Sequence, residues 1–389
     1  MGSLTACRSC GSTDLRGFLN LGDTPLADAF PRSGDKRDRR YPLGLTVCNG
    51  CWLVQNTETV PDELLWTADY GFYTGASPSS IAYFADYAQW VKDRYGELTR
   101  GLVVEIASND GTLLRHFDDR LGVEPSANVA QAAIDAGVPT IIAPFGRAVA
   151  AGIAEKASLI IANNVVAHVA DLDDFLGGVA SLLHKRGLAI FEFQYVGDLI
   201  AGNQFDHVYH EHRSFFGLRS FAAALHSRGL SIQSYIHTPA QGGSLRVVVQ
   251  HGPSRDRSWF KGEDWLARLF TYQSFGGRVT YIRERLLDLI DGEIASGRTV
   301  AGYAASAKST TLLNYCGIGP DRLKSVVDLT PHKIGRLTPG TRIPIVAEDD
   351  VDTYLLLAWN YLPGILRRER AFIDRGGKFI VPIPTPMIL

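Results

Sequence analysis

Short apolar runs and amphipathic segments alternate through the middle of the chain. Runs with strand character cover residues 102–106, 121–123, 140–142, 157–162 and 187–193. Apolar residues at helical spacing separate them, at 112–117, 129–136, 148–155 and 172–184. Because strands that alternate with helices are joined by crossovers, this pattern predicts a doubly wound parallel sheet in an α/β domain. A helix at 218–228 and a hairpin of strands at 231–237 and 244–250 are predicted to close it.

A second α/β unit is predicted after a long polar helical stretch at 259–295. Residues 298–308 have the pattern of a strand, a turn of small residues and a helix. Later strand-like runs lie at 324–327, 342–346, 353–357 and 378–381. Since one core rarely fills a chain of this length, we expect three parts: residues 1–70, 71–252 and 253–389.

Composition excludes several classes of protein. The 389 residues carry a net charge of only −2, so the chain lacks the broad positive surface of a nucleic-acid-binding protein. No apolar run approaches the roughly 18 residues of a membrane span, and no apolar targeting region follows Met1. We expect a cytoplasmic protein without a nucleic-acid or membrane partner. The sequence leaves the oligomeric state open and is compatible with a monomer.

Four of the five cysteines form two C-x-x-C pairs near the N-terminus, at Cys7, Cys10, Cys48 and Cys51. Two such pairs can present four thiolates to one ion, which gives a closed tetrahedral structural zinc site. A redox role for C-x-x-C is the alternative, and it requires a thioredoxin-like βαβ pattern that is missing here. Residues 1–70 are therefore predicted to be a zinc-binding module. Cys316 lies in an apolar setting and is predicted to be buried.

The turn after residue 106 has the pattern of a nucleoside-binding site. The sequence E-I-A-S-N-D-G places small residues and a glycine where the backbone can approach a ligand, and Glu124 follows about twenty residues after Glu105. Ala107 and Asn109 occupy positions where a dinucleotide G-x-G-x-x-G would have glycine, which argues against a nicotinamide cofactor. An ordinary turn capped by Asn109 or Asp110 is the alternative.

This turn, with V-E-P-S after it, resembles the S-adenosylmethionine site of Rossmann-like methyltransferases. The resemblance implies that Glu105, Ser108, Asp110 and Gly111 line the methionine end of the cofactor and that Glu124 binds the ribose. By the same resemblance Asn109 and Asn163 also belong to the cofactor site. A closing hairpin with an antiparallel last strand is typical of the methyltransferase sheet, so the predicted strands at 231–250 point the same way.

Three of the ten histidines fall within six residues, in the sequence F-D-H-V-Y-H-E-H at 205–212. A metal site and a solvated surface turn are two explanations for this cluster, although the H-E-x-x-H spacing of zinc proteases is absent. The third is acid–base chemistry, since histidine titrates near neutrality and a neighbouring carboxylate can fix its tautomer. His168 follows the strand at 157–162, where it is either another site residue or a core histidine.

Taken together, these motifs resemble the zinc-containing sugar C-methyltransferases of antibiotic deoxysugar pathways. The resemblance spans nearly the whole chain through E-I-A-S-N-D-G, N-N-V-V-A-H-V, F-D-H-V-Y-H-E-H, G-G-S-L-R and the two C-x-x-C pairs. It implies a zinc-binding module, a central Rossmann-like SAM methyltransferase domain and a smaller C-terminal α/β domain. The implied substrate is a thymidine-diphosphate (TDP)-linked 4-keto-6-deoxy sugar, methylated at C3.

The resemblance also implies roles for individual side chains. His212 is expected to be the general base, supported by Tyr209 and Glu211. His168 and Tyr73, the latter in a turn at 73–77 within an otherwise helical, aromatic stretch at 61–90, are expected to position the sugar or stabilise an oxyanion. In the C-terminal domain, the residues expected to bind the nucleotide sugar are Lys308, Asp328, Lys333 and Arg336.

Two departures from the family pattern leave room for a different sugar or ring carbon. Gln241 stands where the family often has histidine, and residues 304–308 read A-A-S-A-K in place of G-A-P-A-K. An O- or N-methyltransferase acting on a small hydroxylated or amino substrate is a rival interpretation that needs no enolate. A zinc-containing protein that binds an adenosyl ligand without turnover is another.

Overall fold

A computed structural model describes residues 2–36, 38–66, 71–253 and 258–389. The strands are β1 (Gly2–Ser3), β2 (Leu15–Pro25), β3 (Arg40–Cys48), β4 (Val54–Asn56), β5 (Glu58–Thr59), β6 (Val103–Ile106), β7 (Arg120–Glu124), β8 (Thr140–Ile142), β9 (Ala157–Asn163), β10 (Leu183–Gln194), β11 (Ser214–Phe215), β12 (Leu230–Thr238), β13 (Ser244–His251), β14 (Val300–Tyr303), β15 (Val326–Val327), β16 (Ile345–Val346), β17 (Thr353–Leu356), β18 (Lys378–Val381) and β19 (Met387–Ile388).

The α-helices are α1 (Asp62–Leu65), α2 (Pro78–Tyr95), α3 (Ala127–Asp135), α4 (Arg147–Gly152), α5 (Leu172–Leu182), α6 (Val196–Ala201), α7 (Leu218–His226), α8 (Leu269–Ala295), α9 (Ala307–Cys316), α10 (Leu362–Arg368) and α11 (Arg370–Asp374). None of the helices in the described ranges is long and apolar enough to cross a membrane. The helical stretch expected at 61–90 is divided between α1 and α2, and residues 67–70 of it, next to the expected boundary at residue 70, lie outside the described residues.

The central sheet has seven strands in the order β12-β13-β10-β9-β6-β7-β8. Strands β6 to β10 are parallel, and β13 pairs antiparallel with both β10 and β12. The predicted parallel sheet and its closing hairpin are thus confirmed. Because the crossovers return the chain to the same side each time, the carboxyl ends of β6, β7 and β9 meet at one edge.

The helix predicted at 112–117 is wrong, because only a single 3-10 turn forms there, at Leu114–His116. Asn109 and Gly111 have φ angles of 50° and 72°, so the chain turns sharply before any helix can start. The Asp110 side chain then accepts hydrogen bonds from the Thr112 N–H (3.2 Å) and hydroxyl (2.6 Å). The short connection to β7 leaves room for little more than this turn.

The C-terminal sheet has the order β16-β15-β14-β17-β18-β19, parallel except for β19. Its predicted strands form, although β15 and β16 are shorter than expected. Helix α8 connects this domain to the rest of the chain. One of its faces is buried, and the residues recur at helical spacing: Tyr272, Phe275, Val279, Ile282, Leu286 and Ile290.

The N-terminal module is built on an antiparallel sheet of order β11-β4-β3-β2. Strands β2 and β3 form an antiparallel hairpin in the segment between the two cysteine pairs. The face of α8 packs on this module, with the Phe18 and Tyr272 rings 5.1 Å apart. Burial of each such aromatic or aliphatic side chain contributes roughly 1.5–3 kcal/mol to the free energy of unfolding. The module therefore shares one core with the C-terminal domain.

Candidate active site

The four N-terminal cysteines lie together, as the two C-x-x-C pairs predict. Their sulfurs are all within 4.8 Å of one another, and the Cys7–Cys51 and Cys10–Cys48 Sγ pairs are each 3.6 Å apart. A tetrahedral zinc ion with Zn–S bonds of about 2.3 Å sets its sulfurs about 3.8 Å apart, so this cluster fits structural zinc. Within the described ranges it is the one group of cysteine, histidine and acidic side chains arranged to hold a metal, and the histidines at 207–212 form none.

The turn after β6 folds back over the end of β7. The N–H groups of Ala107 and Ser108 both point to the Val123 carbonyl, at 2.8 and 3.3 Å. Gly122 allows this close approach, because a Cβ atom there would lie 2.4 Å from Ser108 Oγ. Ala107 has a φ of 56°, which is uncommon for a residue other than glycine. The hydrogen bonds to the Val123 carbonyl thus hold Ala107 in a left-handed conformation that a residue other than glycine seldom adopts.

The two acids predicted for the cofactor lie at the ends of adjacent strands. Glu105 is buried in β6, and burial raises its pKa well above the ordinary value. Glu124 ends β7, and its carboxylate accepts hydrogen bonds from the Asn109 N–H (3.0 Å) and the Ser126 N–H (2.8 Å). Burial raises the pKa of Glu124 as well. Since each carboxylate oxygen has two acceptor positions, Glu124 can still accept two ribose hydroxyls.

Several buried polar atoms at this edge have no hydrogen-bond partner among the described residues. They are Glu105 Oε2, Ser108 Oγ and both amide atoms of Asn163, which ends β9. Buried polar atoms are nearly always paired in folded proteins. A ligand with an amino group, a carboxylate and hydroxyls would satisfy them, so the residues present fit S-adenosylmethionine.

Asn109 and Asp110 bind the backbone of residues 72–75. Asn109 Oδ1 accepts from the Thr74 N–H (2.9 Å), its Nδ2 donates to the Phe72 carbonyl (2.9 Å), and Asp110 Oδ2 accepts from the Gly75 N–H (2.7 Å). The Tyr73 hydroxyl accepts from Asn128 Nδ2 of α3 at 3.0 Å. The segment around Tyr73 therefore lies against the cofactor turn, and the Asn109 side chain holds it there.

His168 and His212 lie side by side, with ring centroids 4.9 Å apart. His168 Nδ1 is 2.7 Å from the Glu211 carbonyl, and His212 Nδ1 is 2.8 Å from the His207 carbonyl. Because a carbonyl only accepts, each Nδ1 must carry the proton. In the neutral rings each Nε2 is then unprotonated. The Tyr209 hydroxyl lies 2.9 Å from His212 Nε2 and donates to it.

Burial keeps both imidazoles neutral. It lowers the pKa of His212 to about 3 and the pKa of His168 to about 4. Burial, and then the charge of Asp28, raise the pKa of Glu211 to about 7. His207, His210 and Glu211 are buried, which excludes a solvated surface turn. Backbone carbonyls fix the tautomers of His168 and His212, where the sequence had suggested a carboxylate.

The zinc-binding module holds the segment that follows His212. Strand β11 pairs with β4, and the Asn56 side chain donates to the Tyr209 carbonyl at 3.0 Å. Arg213 is only 1% exposed; its backbone N–H donates to the Ala167 carbonyl beside His168, and its guanidinium donates to the Val60 carbonyl. His210 Nε2 lies 3.3 Å from the Pro42 carbonyl. The module is thus joined to the histidine cluster by main-chain pairing.

The four C-terminal residues predicted for substrate binding lie near the carboxyl ends of β14 and β15. Asp328 accepts from the Ala305 N–H at 2.6 Å. Lys333 donates to the Ala305 carbonyl at 2.7 Å, and Arg336 donates to the Phe30 carbonyl at 3.1 Å. Lys308 is 9% exposed and donates to Asn360 Oδ1. Residues 27–31 of the zinc-binding module therefore lie against this group.

Two groups of site residues were missed from the sequence. Glu192, near the end of β10, forms a buried ion pair with Arg246 of β13 (2.7 Å), while the Tyr83 hydroxyl of α2 donates to the same carboxylate. Asp206 is fully buried and accepts from Trp359 Nε1 at 2.7 Å. Asp206 belongs to the histidine motif, which could have singled it out. Arg246 belongs to the G-G-S-L-R motif, but the partners lie far apart along the chain, so no local signal pairs them.

Three family models match the chain in succession. Residues 7–66 match a domain described as "Putative zinc binding domain", residues 82–235 match "Methyltransferase domain", and residues 239–384 match "C-methyltransferase C-terminal domain". The order is that expected from the motifs. The fold is therefore a zinc-binding module, a SAM-dependent methyltransferase domain and a C-terminal domain.

A curated relative, C-methyltransferase NovU from Streptomyces niveus, is 34% identical over 98% of this chain and 96% of its own length. Among solved structures, magnesium protoporphyrin IX methyltransferase from Synechocystis with bound S-adenosylhomocysteine covers 44% of this chain and 83% of its own (15% identity, TM-score 0.35). DesVI from Streptomyces venezuelae covers 46% and 94% (16% identity, TM-score 0.34).

Proposed function

The chain belongs to the C-methyltransferase family, and from that premise we propose that it methylates a ring carbon of a TDP-linked 4-keto-6-deoxy sugar in antibiotic deoxysugar biosynthesis. C3 is the proposed carbon. A ketone at C4 acidifies the C–H bonds of its neighbours, C3 and C5, so either carbon can form an enolate. The family resemblance favours C3.

The observation that carries the proposal is the pair of neutral imidazoles at His168 and His212. His168 follows β9, which pairs with β6, the strand that leads into the cofactor turn. A general base must hold an unprotonated nitrogen at the working pH, and both rings do so because each Nδ1 donates to a backbone carbonyl while burial keeps the ring neutral. An enzyme that methylates an oxygen or a nitrogen can rely on the lone pair of its substrate. A carbon acid needs its proton removed first.

The proposed reaction starts with His212. Its Nε2 accepts the proton from the sugar carbon, and the C–H electron pair becomes the enolate, with its charge on the C4 oxygen. Before this transfer the Tyr209 O–H turns from Nε2, whose single lone pair it occupies, to the C4 oxygen, where it donates to the enolate that forms. His168 and Tyr73 are proposed to position the sugar. Glu105, Ser108, Asn163 and Glu124 would hold S-adenosylmethionine, which would supply an electrophilic methyl group and leave as the thioether S-adenosylhomocysteine once its C–S bond breaks.

The C-terminal domain is proposed to hold the TDP group. Lys333 and Arg336 provide cationic groups beside the carboxyl ends of β14 and β15, where open α/β sheets bind their ligands. Lys308 already donates to Asn360, so it would approach a phosphate only by exchanging this partner. Asp328 holds the Ala305 backbone, which shapes the loop against which the nucleotide would lie.

The direct test supplies a TDP-4-keto-6-deoxyhexose and S-adenosylmethionine carrying a ¹³C-labelled methyl group. Carbon NMR of the product distinguishes a methyl on carbon from one on oxygen or nitrogen, and C3 from C5. A labelled methyl on C3 supports the proposal. A methyl on oxygen or nitrogen, or no transfer to any TDP-linked keto sugar, contradicts it and favours one of the two rivals named above.

A further inference from the structure

The His207 carbonyl determines which nitrogen of His212 can act as the base. Nδ1 of His212 donates to this oxygen at 2.8 Å, which leaves Nε2 unprotonated. If the carbonyl turned away, the ring could exchange its proton between the two nitrogens and could also rotate. The orientation of the peptide unit between His207 and Val208 therefore controls the base.

The C-terminal domain contacts the residues on either side of His207, namely Asp206 and Val208. On one side, Trp359 Nε1 donates to Asp206 Oδ2 at 2.7 Å, and the Trp359 ring lies 6.2 Å from the His207 ring. On the other side, the Thr311 hydroxyl of α9 donates to the Val208 carbonyl at 2.8 Å. Asp206 and Val208 are fully buried and Thr311 is 1% exposed. These contacts are shielded from water, which strengthens them.

The methyltransferase domain adds a contact of its own within the same turn. The Val208 N–H donates to the Phe205 carbonyl at 3.0 Å, which closes the 3-10 turn Phe205–His207. The His207 N–H also donates to the Gln204 carbonyl at 3.2 Å, and a 3-10 turn of only these two bonds is weak by itself. Its buried aspartate would destabilise it further without the Trp359 N–H, since a buried carboxylate needs hydrogen-bond donors. The hydrogen bonds from Trp359 and Thr311 therefore help to stabilise this turn.

We propose that Trp359 and Thr311, both in the C-terminal domain, are positioning residues that orient the general base His212 through the His207 carbonyl. This inference rests on the proposed function, which assigns the base to His212. It gives the C-terminal domain a part in proton removal besides holding the nucleotide. The two parts adjoin, because Asn360, next to Trp359, accepts from Lys308.

The test compares Trp359→Phe and Thr311→Val with a matched control, Thr310→Val. Thr310 precedes Thr311 in α9, is equally buried, and donates to the Ala27 carbonyl of the zinc-binding module at 2.8 Å. The two threonine-to-valine changes keep the size of the side chain nearly constant, whereas Trp359→Phe replaces the indole with a smaller ring. Thr311→Ser keeps the hydroxyl and serves as the rescue variant. The full-length zinc-loaded protein is used throughout.

The first measurement needs no turnover. In protein with ¹⁵N-labelled histidine, NMR reports which ring nitrogen carries the proton, and His212→Asn identifies the His212 signals. We expect the wild type, Thr310→Val and Thr311→Ser to show His212 protonated at Nδ1 alone. Trp359→Phe and Thr311→Val are expected to show a mixture of tautomers.

The second measurement is methyl transfer. A misplaced base is expected to lower kcat about ten- to hundredfold in Trp359→Phe and Thr311→Val, with KM for S-adenosylmethionine unchanged. If both variants keep the wild-type tautomer or the wild-type kcat, the inference is overturned. A failure of the proposed function looks different, because the wild type itself then transfers no methyl group to the keto sugar or does so without needing His212.

Discussion

The carboxyl group of Glu211 should make the stability of the folded protein depend on pH near neutrality. Glu211 is 8% exposed, and burial together with the charge of Asp28 raises its pKa to about 7. In an unfolded chain a glutamate titrates near pH 4.3. At a pH between these two pKa values, Glu211 is ionised in the unfolded chain but still protonated in the folded protein.

The sign and size of the effect follow by linkage. The contribution of Glu211 to stability is complete below the unfolded pKa and is lost as the pH rises through the folded pKa. A pKa difference of about 2.7 corresponds to about 4 kcal/mol. Glu211→Gln is neutral at every pH and cannot lose this contribution. The variant should therefore become more stable relative to the wild type as the pH rises toward 7, and the difference should level off above it.

The assay is equilibrium denaturation of both proteins from about pH 5 to about pH 8, at constant salt. The free-energy difference in favour of Glu211→Gln should grow by up to about 3 kcal/mol across the range. Asp28→Asn, studied alone and with Glu211→Gln, removes one cause of the raised pKa and should shift the change to lower pH. A difference that stays constant with pH would refute the reasoning, because Glu211 would then titrate alike in both states.

Three further perturbations test other parts of the structure. Asn109→Ala removes the two hydrogen bonds that Asn109 makes to the segment before α2, and it should weaken binding of S-adenosylhomocysteine about tenfold in calorimetry. Unchanged affinity would show that these two bonds do not support the cofactor turn. Cys48→Ser should abolish stoichiometric zinc in a metal assay and reduce methyl transfer, because β4 follows the zinc site and pairs with β11, the strand after His212. Full activity without zinc would show that the zinc site does not support the segment around His212. Arg246→Met leaves Glu192 buried without its ion-pair partner and should cost about 3–5 kcal/mol in denaturant unfolding; a cost near zero would mean that the pair is not desolvated.

The central sheet and the zinc ligands could be predicted from the sequence because their signals are local. Strand β9 appears at the predicted residues with one residue added, since an apolar run reports its own burial. The two C-x-x-C pairs specify four sulfurs whatever the chain does between them. The helix at 112–117 failed because Asn109 and Gly111 adopt positive φ angles, which local apolar spacing does not reveal.

The surroundings of the proposed base could not be predicted, for a related reason. Strand β11 is only two residues long, so it has no periodicity that could identify it. Its partner, β4, is separated from it along the chain by most of the methyltransferase domain. The contact of Trp359 with Asp206 also joins segments that are distant in the sequence. A histidine motif shows which chemistry is available. The tertiary structure decides which carbonyl sets each tautomer.

The central claim, that His212 removes a proton from a sugar carbon beside the cofactor, is tested most directly by hydrogen exchange. The TDP-linked keto sugar is deuterated at C3 and incubated with the enzyme and S-adenosylhomocysteine, so that no methyl group can be transferred. We expect the deuterium to be lost to solvent with the wild-type enzyme and retained with His212→Asn, while calorimetry shows that the variant still binds S-adenosylhomocysteine. Washout at the wild-type rate in His212→Asn would contradict the account, since another group would then be the base.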